Sequence, residues 1–233
     1  EEKSAATVAS SALPLEREDL PPVVVETTPL SGSILPLQGS IGLIFDQPME
    51  RESVEGAIQL NPAYSGRFEW LDETSVEFIS DQPLPPDTPI TINIAATARA
   101  KNGLALLRSQ EFSFQTAGNL RIAERIPADG LSDVDPASTI AVTFNQPIVP
   151  IGEIEETLPK AFSIDPPARG SGRWLNSSTY IFQPDLSLGG GVTYSIHVNP
   201  ELTSLAGSSL EEGELTVWSF TTAIPQVLWA NPD

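Results

Sequence analysis

The sequence predicts an all-β protein made of two tandem, antiparallel β-sandwiches arranged end to end. The strongest of three observations is an internal repeat, because Ser40-Ile-Gly-Leu-Ile-Phe-Asp-Gln-Pro48 returns as Thr139-Ile-Ala-Val-Thr-Phe-Asn-Gln-Pro147. Further matches follow in the same order, pairing 60–62 with 164–166, 66–70 with 170–174, 76–78 with 180–182, 90–94 with 194–198 and 112–116 with 218–222. A repeat of about 100 residues is typical of a compact domain with its own core, not of a solenoid unit.

The other two observations are alternating hydrophobicity and regularly spaced turn formers. Ile41, Leu43 and Phe45 fall on one face of an extended segment, which indicates a strand with one buried face. The same reasoning predicts strands at 23–26, 41–46, 57–60, 68–71, 75–79, 90–95 and 111–116, then at 122–125, 140–145, 162–164, 172–175, 179–183, 194–199 and 215–221. Gly, Pro, Asn and Asp separate these strands, as in a sandwich. The only helical feature we expect is a single turn within 49–56.

The repeat also divides the chain. Residues 1–20 have no sustained apolar period and are predicted to be a flexible leader, followed by modules at 21–117 and 118–224. The link Thr116-Ala-Gly-Asn119 is short, which favours the end-to-end arrangement. Residues 225–233 match the opening of both modules, so we expect them to begin a further module.

Composition excludes several classes of function. The 233 residues hold 12 basic and 31 acidic side chains, a net charge of −19, which disfavours nucleic acid and anionic lipid as partners. Solubility explains this acidity most simply; a divalent cation or a basic partner is the alternative. With no cysteine, the chain has no disulfide, thiolate metal site or cysteine nucleophile. No stretch reaches the ~18 apolar residues of a membrane-spanning helix.

Candidate catalytic residues are few. His197 is the only histidine, and it lies on the polar phase of a predicted strand, so we expect it to face solvent. A Ser-His-Asp triad would need this residue, and the sequence has no Gly-x-Ser-x-Gly motif. Carboxylates fall mainly in turns and on polar strand phases, so a glycosidase-like pair is also disfavoured. We predict no enzyme activity, no catalytic residues and no cofactor.

Two further sets of residues allow more than one interpretation. Asp129, Asp133 and Asp135 superficially resemble a calcium loop, but their spacing is not that of an EF-hand, and aspartates also cap turns. We therefore predict no metal site, with calcium at these three residues left open. Aromatic residues repeat at matching places in the two modules and are interpreted as core or sheet-contacting side chains: Phe45, Trp70, Phe78, Phe112, Phe114, Phe144, Trp174, Phe182, Trp218 and Phe220.

The repeat resembles the bacterial Ig-like domain of surface and S-layer proteins, especially the copies that open bacterial alpha-2-macroglobulin-like proteins. The second module carries the closer match, in Val142-Thr-Phe-Asn-Gln-Pro147, Gly172-Arg-Trp174 and Tyr180-Ile-Phe-Gln-Pro184. This resemblance implies a non-catalytic spacer within a larger protein that is extracellular, at the cell surface or periplasmic. In alpha-2-macroglobulin-like proteins the whole chain traps proteases, through a bait region and often a thioester. Neither element can be assigned to these residues.

The partners that the resemblance implies are further domains of the same chain and a protease bound by the full-length protein. Any lipid or cell-wall anchor would lie outside this segment, which is expected to be monomeric and not to contact the membrane. An adhesive module that binds a protein or glycan is the alternative, and a domain accessory to a hydrolase is a third. Exposed aromatic residues clustered on one sheet would favour binding.

Overall fold

The computed structural model describes residues 20–152 and 157–225. The predicted leader, apart from its last residue, and the predicted start of a further module, apart from Pro225, lie outside these residues. The chain divides into two compact units, which correspond to the two copies of the repeat apart from segments 34–39, 82–89 and 115–117 of the first copy, which belong to the second unit. The prediction of an all-β fold is confirmed, with one short helix among the described residues.

The first copy contains eight strands and one helix. These are β1 (Val24–Thr28), β2 (Ile34–Leu35), β3 (Ser40–Phe45), α1 (Arg51–Ala57), β4 (Ile58–Asn61), β5 (Gly66–Trp70), β6 (Ser75–Ser80), β7 (Pro89–Ile94) and β8 (Gln110–Thr116). They form two four-stranded sheets with the orders β1-β3-β6-β5 and β2-β8-β7-β4.

The second copy repeats this plan strand for strand. Its strands are β9 (Ile122–Ile126), β10 (Leu131–Val134), β11 (Ile140–Phe144), β12 (Phe162–Asp165), β13 (Gly170–Trp174), β14 (Thr179–Pro184), β15 (Thr193–Val198) and β16 (Val217–Thr222). The sheets have the orders β9-β11-β14-β13 and β10-β16-β15-β12. Replacing each strand of the first copy by its equivalent reproduces both orders, so the sequence repeat is also a repeat of topology.

Alternating burial explains why these segments form strands. In β3, Ile41, Leu43 and Phe45 are at most 2% exposed, and in β7 the isoleucines at 90, 92 and 94 are fully buried. Each such side chain removed from water contributes about 1.5–3 kcal/mol, so the apolar phase fixes which face of the strand turns inward. In the second copy the equivalent phases supply the core residues Ile140, Val142, Phe144, Ile196, Trp218 and Phe220.

Two strands were not predicted from the sequence. β2 has two residues and β10 has four, and each runs parallel to the last strand of its own copy. Such short segments have too few alternating positions to show a period. Two of the four sheets are therefore mixed rather than purely antiparallel, while every other strand pair is antiparallel as predicted.

The aromatic residues are not all core, as the sequence interpretation had them. Phe112, Trp70 and Trp174 are half-buried. Both indoles lie at the end of an edge strand and direct their N–H group at an acceptor from the preceding loop or helix. Trp70 donates to Glu55 Oε1 and Trp174 to the Pro159 carbonyl, each at 2.9 Å. The fully buried Trp218 also has an acceptor for its N–H, the Pro127 carbonyl at 3.0 Å, so each of these three indoles has the partner that it requires.

Candidate functional site: the two ends of each copy

The residues singled out from the sequence as candidates for chemistry lie apart from one another. His197 is exposed on β15, opposite Ser163 and Val217 in the neighbouring strands. It faces solvent, as its strand phase predicts. Among the described residues, no group of three or more His, Asp and Glu side chains is placed to hold a metal ion.

Of the three aspartates that suggested a calcium loop, Asp129 and Asp135 lie at turns and Asp133 lies within β10. Asp129 Oδ1 accepts a hydrogen bond from the Ser219 amide, and Asp135 Oδ1 accepts one from the Ala137 amide, both at 2.9 Å. Asp133 has a φ of 56°, the left-handed conformation that aspartate tolerates better than most residues. Asp135 therefore has the turn-capping role that was the simpler interpretation, while Asp129 attaches its turn to β16.

The chain entering the first copy is held by the repeated Phe-(Asp/Asn)-Gln-Pro motif. The Val23 amide donates to Asp46 Oδ1 at 3.0 Å, and the Asp46 amide donates back to the Val23 carbonyl at 3.1 Å. Gln47, only 5% exposed, donates from Nε2 to the Leu20 carbonyl at 2.8 Å. Its Oε1 accepts from Asn102 Nδ2 at 3.0 Å. These bonds attach the incoming backbone to the end of β3.

The second copy makes the same arrangement. The Arg121 amide donates to Asn145 Oδ1 at 2.7 Å, and the Asn145 amide donates to the Arg121 carbonyl at 3.0 Å. Gln146 Nε2 donates to the carbonyls of Gly118 and Asn119, at 2.7 and 3.1 Å. We call Asp46-Gln47 and Asn145-Gln146 the entry clamps. Since Asp and Asn both accept at the same place, the clamp depends on an acceptor oxygen and not on charge.

The chain leaving each copy is fixed by a buried threonine. Thr116 and Thr222 end β8 and β16 and are each 1% exposed. Thr116 Oγ1 accepts from the Thr88 amide at 2.7 Å and donates to the Pro85 carbonyl at 2.6 Å.

The equivalent Thr222 hydroxyl makes the same pair of bonds. It accepts from the Val192 amide at 3.0 Å and donates to the Gly189 carbonyl at 2.5 Å. We call Thr116 and Thr222 the exit threonines. A buried hydroxyl is tolerated because both its donor and its acceptor capacity are used.

The short strands β2 and β10, which follow the first strand of each copy, pair with its exit strand. Ile34 and Leu35 pair in parallel with Gln115 and Thr116, and the Ala117 amide continues the ladder to the Leu35 carbonyl at 2.9 Å. In the second copy, β10 pairs in parallel with β16, and the Ala223 amide donates to the Val134 carbonyl at 2.8 Å. The exit strand of each copy is thus bonded to its second strand as well as to the core.

Sequence reasoning used the Gln-Pro and final Thr positions only to define the repeat, and missed their structural roles. The available signal was the recurrence of polar residues beside buried apolar ones: Gln47 precedes Met49, and Thr116 follows Phe114. A polar residue repeated at an inward position requires a hydrogen-bond partner, and the nearest backbone supplies it.

Comparison with known families agrees with this architecture. The sequence profile of the bacterial Ig-like domain matches twice, at residues 18–116 and 118–222, which together span most of the chain. The chain therefore belongs to the bacterial Ig-like domain family. Comparison with curated proteins gives no significant match.

Several solved structures match this chain at low similarity. An L,D-transpeptidase from Mycobacterium tuberculosis H37Rv is 14% identical over 86% of this chain and 89% of its own, with a TM-score of 0.33. The N-terminal part of the bacterial S-layer protein SbsC is 11% identical over 89% and 45%, with a TM-score of 0.34. A chimeric titin Z1Z2 is 8% identical over 88% and 97%, with a TM-score of 0.40. Similarity at this level transfers no activity. Within the described ranges, no helix has both the length and the apolar character to cross a membrane.

Proposed function

We propose that the two copies form a non-catalytic, load-bearing spacer in a larger bacterial protein that is secreted or anchored at the cell surface. The observation that carries this proposal is that both copies fix their entry and exit segments by the same bonds. The groups with polar chemistry at these ends, the entry clamps and exit threonines, bond backbone atoms of their own copy.

The strand directions support a mechanical role. When a chain is pulled from its two ends, a parallel pair of an early strand and the last strand slides lengthwise, so all of its hydrogen bonds bear load together. An antiparallel pair pulled at one end would open one bond at a time. The β2–β8 and β10–β16 pairs are parallel, and backbone bonds of this kind are individually modest but resist cooperatively.

Single-molecule force spectroscopy on the full chain tests this function. Pulling from the two ends should give two separate unfolding events, each releasing roughly 350 Å if about 105 residues extend at 3.3–3.6 Å per residue. Because the chain has no cysteine, Ser171→Cys on the exposed edge strand β13 provides a second attachment point. Pulling between that point and the C-terminal end loads the second copy in a different direction and should lower its unfolding force.

Equal forces in the two directions would show that the parallel pairs do not bear the load. A single event at low force would contradict the spacer proposal itself.

The finer proposal is that the parent protein is alpha-2-macroglobulin-like. It rests on the resemblance of residues 142–147, 172–174 and 180–184 to that class. A Cys-Gly-Glu-Gln-like thioester motif encoded downstream of Asp233 would support it, and a downstream sequence composed only of further β-sandwich repeats would contradict it. In that case an adhesin or S-layer-type parent becomes the better proposal.

A further inference from the structure

The second copy has a cleft that its core does not fill. It lies between β12 and β13, the edge strands of the two sheets on the same side of the sandwich, and has a volume of about 250 Å³. Its floor consists of aromatic rings, and its walls are small side chains and backbone. The lining residues that matter here are Phe162, Ala168, Gly170, Gly172, Tyr180 and Phe182.

Comparison of the two copies explains this space. At the positions equivalent to Ala168 and Gly172, the first copy carries Tyr64 and Phe68, both half-buried. The Phe68 ring packs edge-on against Phe78 at 5.6 Å. Two aromatic side chains of the first copy are therefore replaced by a methyl group and a hydrogen atom.

Tyr180 compensates for only part of this loss. Its equivalent in the first copy is Val76, and the Tyr180 hydroxyl reaches the place where a Cβ of Gly172 would lie. Its ring contacts Phe162 and Trp174 edge-on, at 5.2 and 5.3 Å. The ring thus stabilises the floor, and the cleft beside it stays open.

The rim of the cleft is basic in a strongly acidic protein. Lys160 lines the cleft, Arg169 lies between two lining residues, and Arg173 follows Gly172 on β13; all three are exposed. Among the described residues, the ion pairs join Lys101, Arg121 and Arg125 to glutamates and do not involve these three. In a chain with a net charge of −19, three exposed cations in and next to β12 and β13 favour an acidic ligand.

The backbone beside the cleft is open to pairing. β13 is the edge strand of its sheet, so alternate N–H and C=O groups point away from β14. Gly170, Ser171 and Gly172 place no large side chain along this edge. An edge strand with small residues and an adjacent apolar pocket suits the addition of an extended peptide, in which main-chain bonds give affinity and one side chain gives specificity.

We propose that this cleft binds an acidic, extended segment of a partner protein. The segment pairs with β13 and places one aromatic side chain in the part of the Tyr64 and Phe68 space that Tyr180 leaves open, while its carboxylates face Lys160 and Arg173. This inference concerns a binding site and does not depend on the load-bearing role proposed above.

A designed peptide provides the probe. Acetyl-Glu-Phe-Glu-Val-Glu-amide should bind the ¹⁵N-labelled full chain saturably, shifting amide signals of β12 and β13. Replacing its Phe by Ala should weaken binding at least about tenfold, since an aromatic ring supplies most of the buried area. Replacing its three Glu by Lys should abolish binding, and added salt should lower the affinity of the acidic peptide.

Two variants connect binding to the cleft. The pair Gly172→Phe with Tyr180→Val restores the first copy's side chains and should remove binding by filling the space. Arg173→Glu changes only an exposed position and should weaken binding several-fold while the fold is retained. Arg67→Glu, at an exposed position of edge strand β5 in the first copy, is the control and should bind normally. If the double variant does not fold, Ala168→Tyr fills the same cleft from the opposite wall.

Each remaining outcome overturns the proposal. These outcomes are no saturable binding at millimolar peptide, equal affinity for the Phe and Ala peptides, or signal shifts confined to the first copy. Shifts of β12 and β13 signals that depend on protein concentration without peptide would identify a second copy of the chain as the occupant instead.

Discussion

Removing the hydroxyl of the exit threonine Thr222 should destabilise the second copy selectively. Thr222→Val keeps the shape and the β-branched geometry of the side chain, and the position is 1% exposed. The change removes the acceptor of the Val192 amide and the donor to the Gly189 carbonyl. No other feature of the strand needs to move, so the two lost bonds dominate the effect.

The expected magnitude follows from those bonds. A hydrogen bond contributes about 1 kcal/mol net, and a buried group left without a partner costs about 1–3 kcal/mol. The added methyl group recovers up to about 0.8 kcal/mol if it is buried. The free energy of unfolding of the second copy should therefore fall by about 2 kcal/mol. With a urea dependence of about 2 kcal/mol/M, its midpoint should fall by about 1 M.

Urea denaturation monitored by Trp fluorescence and by NMR amide signals separates the two copies. Thr221→Val is the matched control, because Thr221 bonds only the exposed Thr193 hydroxyl across the strands, and we expect a change below about 0.5 kcal/mol. A loss of less than about 0.5 kcal/mol for Thr222→Val would refute the assignment of the exit threonine as a fixed end. An equal loss of stability in both copies would refute the prediction that Thr222→Val affects the second copy selectively.

Three further outcomes are expected. Gln146→Met should cost the second copy about 1 kcal/mol in urea denaturation, because the clamp bonds to Gly118 and Asn119 disappear; an unchanged midpoint would contradict the clamp. Gly170→Ala should destabilise by about 1–3 kcal/mol, since a Cβ there meets the Gln183 carbonyl and the Phe182 ring, and a neutral result would show that this ring moves freely. The Thr74 amide and hydroxyl donate to Asp72 and lower the pKa of that carboxyl. The Asp72 contribution to the turn is thus present above the unfolded pKa of about 3.9 and is lost as pH falls through the lower folded pKa. The Thr74 NMR signal should follow that titration in the wild type and not in Asp72→Asn; an inflection at or above the ordinary value would refute the bond.

Most of the strands can be predicted from the sequence, because apolar and polar residues alternate regularly along them. Ile90, Ile92 and Ile94 illustrate this, with every second residue fully buried. The predicted and observed strand ends differ where a polar residue pairs in the ladder without being buried, as Asp165 does at the end of β12. Burial periodicity cannot report such residues, since their hydrogen bonds are to backbone and not to side chains.

The ends of the copies were harder to predict because their bonds depend on pairing across long sequence separations. The β10–β16 pair joins segments nearly 90 residues apart, and the short β10 carries no pattern of its own. The role of Gln146 likewise depends on carbonyls that only the folded chain brings near. The sequence shows that the clamp and exit residues are repeated, and the structure shows which backbone groups they bond.

The cleft exists because the second copy lacks two aromatic side chains of the first copy, and only a comparison of the two copies reveals this. Gly172 alone predicts a close approach or a bulge. Comparison with Phe68, its equivalent in the first copy, indicates that side-chain volume is missing at Gly172. The structure then shows that Tyr180 replaces part of this volume.

The first copy has Phe68 and Val76 where the second has Gly172 and Tyr180. We expect this difference to disfavour pairing between strands of different copies during folding. Tandem homologous domains can trade strands as they emerge from the ribosome and become trapped in swapped forms. If β5 were to pair with β14, the Phe68 ring would collide with Tyr180; if β13 were to pair with β6, Gly172 and Val76 would leave a void. We therefore expect each edge hairpin to pair within its own copy, because the side-chain sizes match only there.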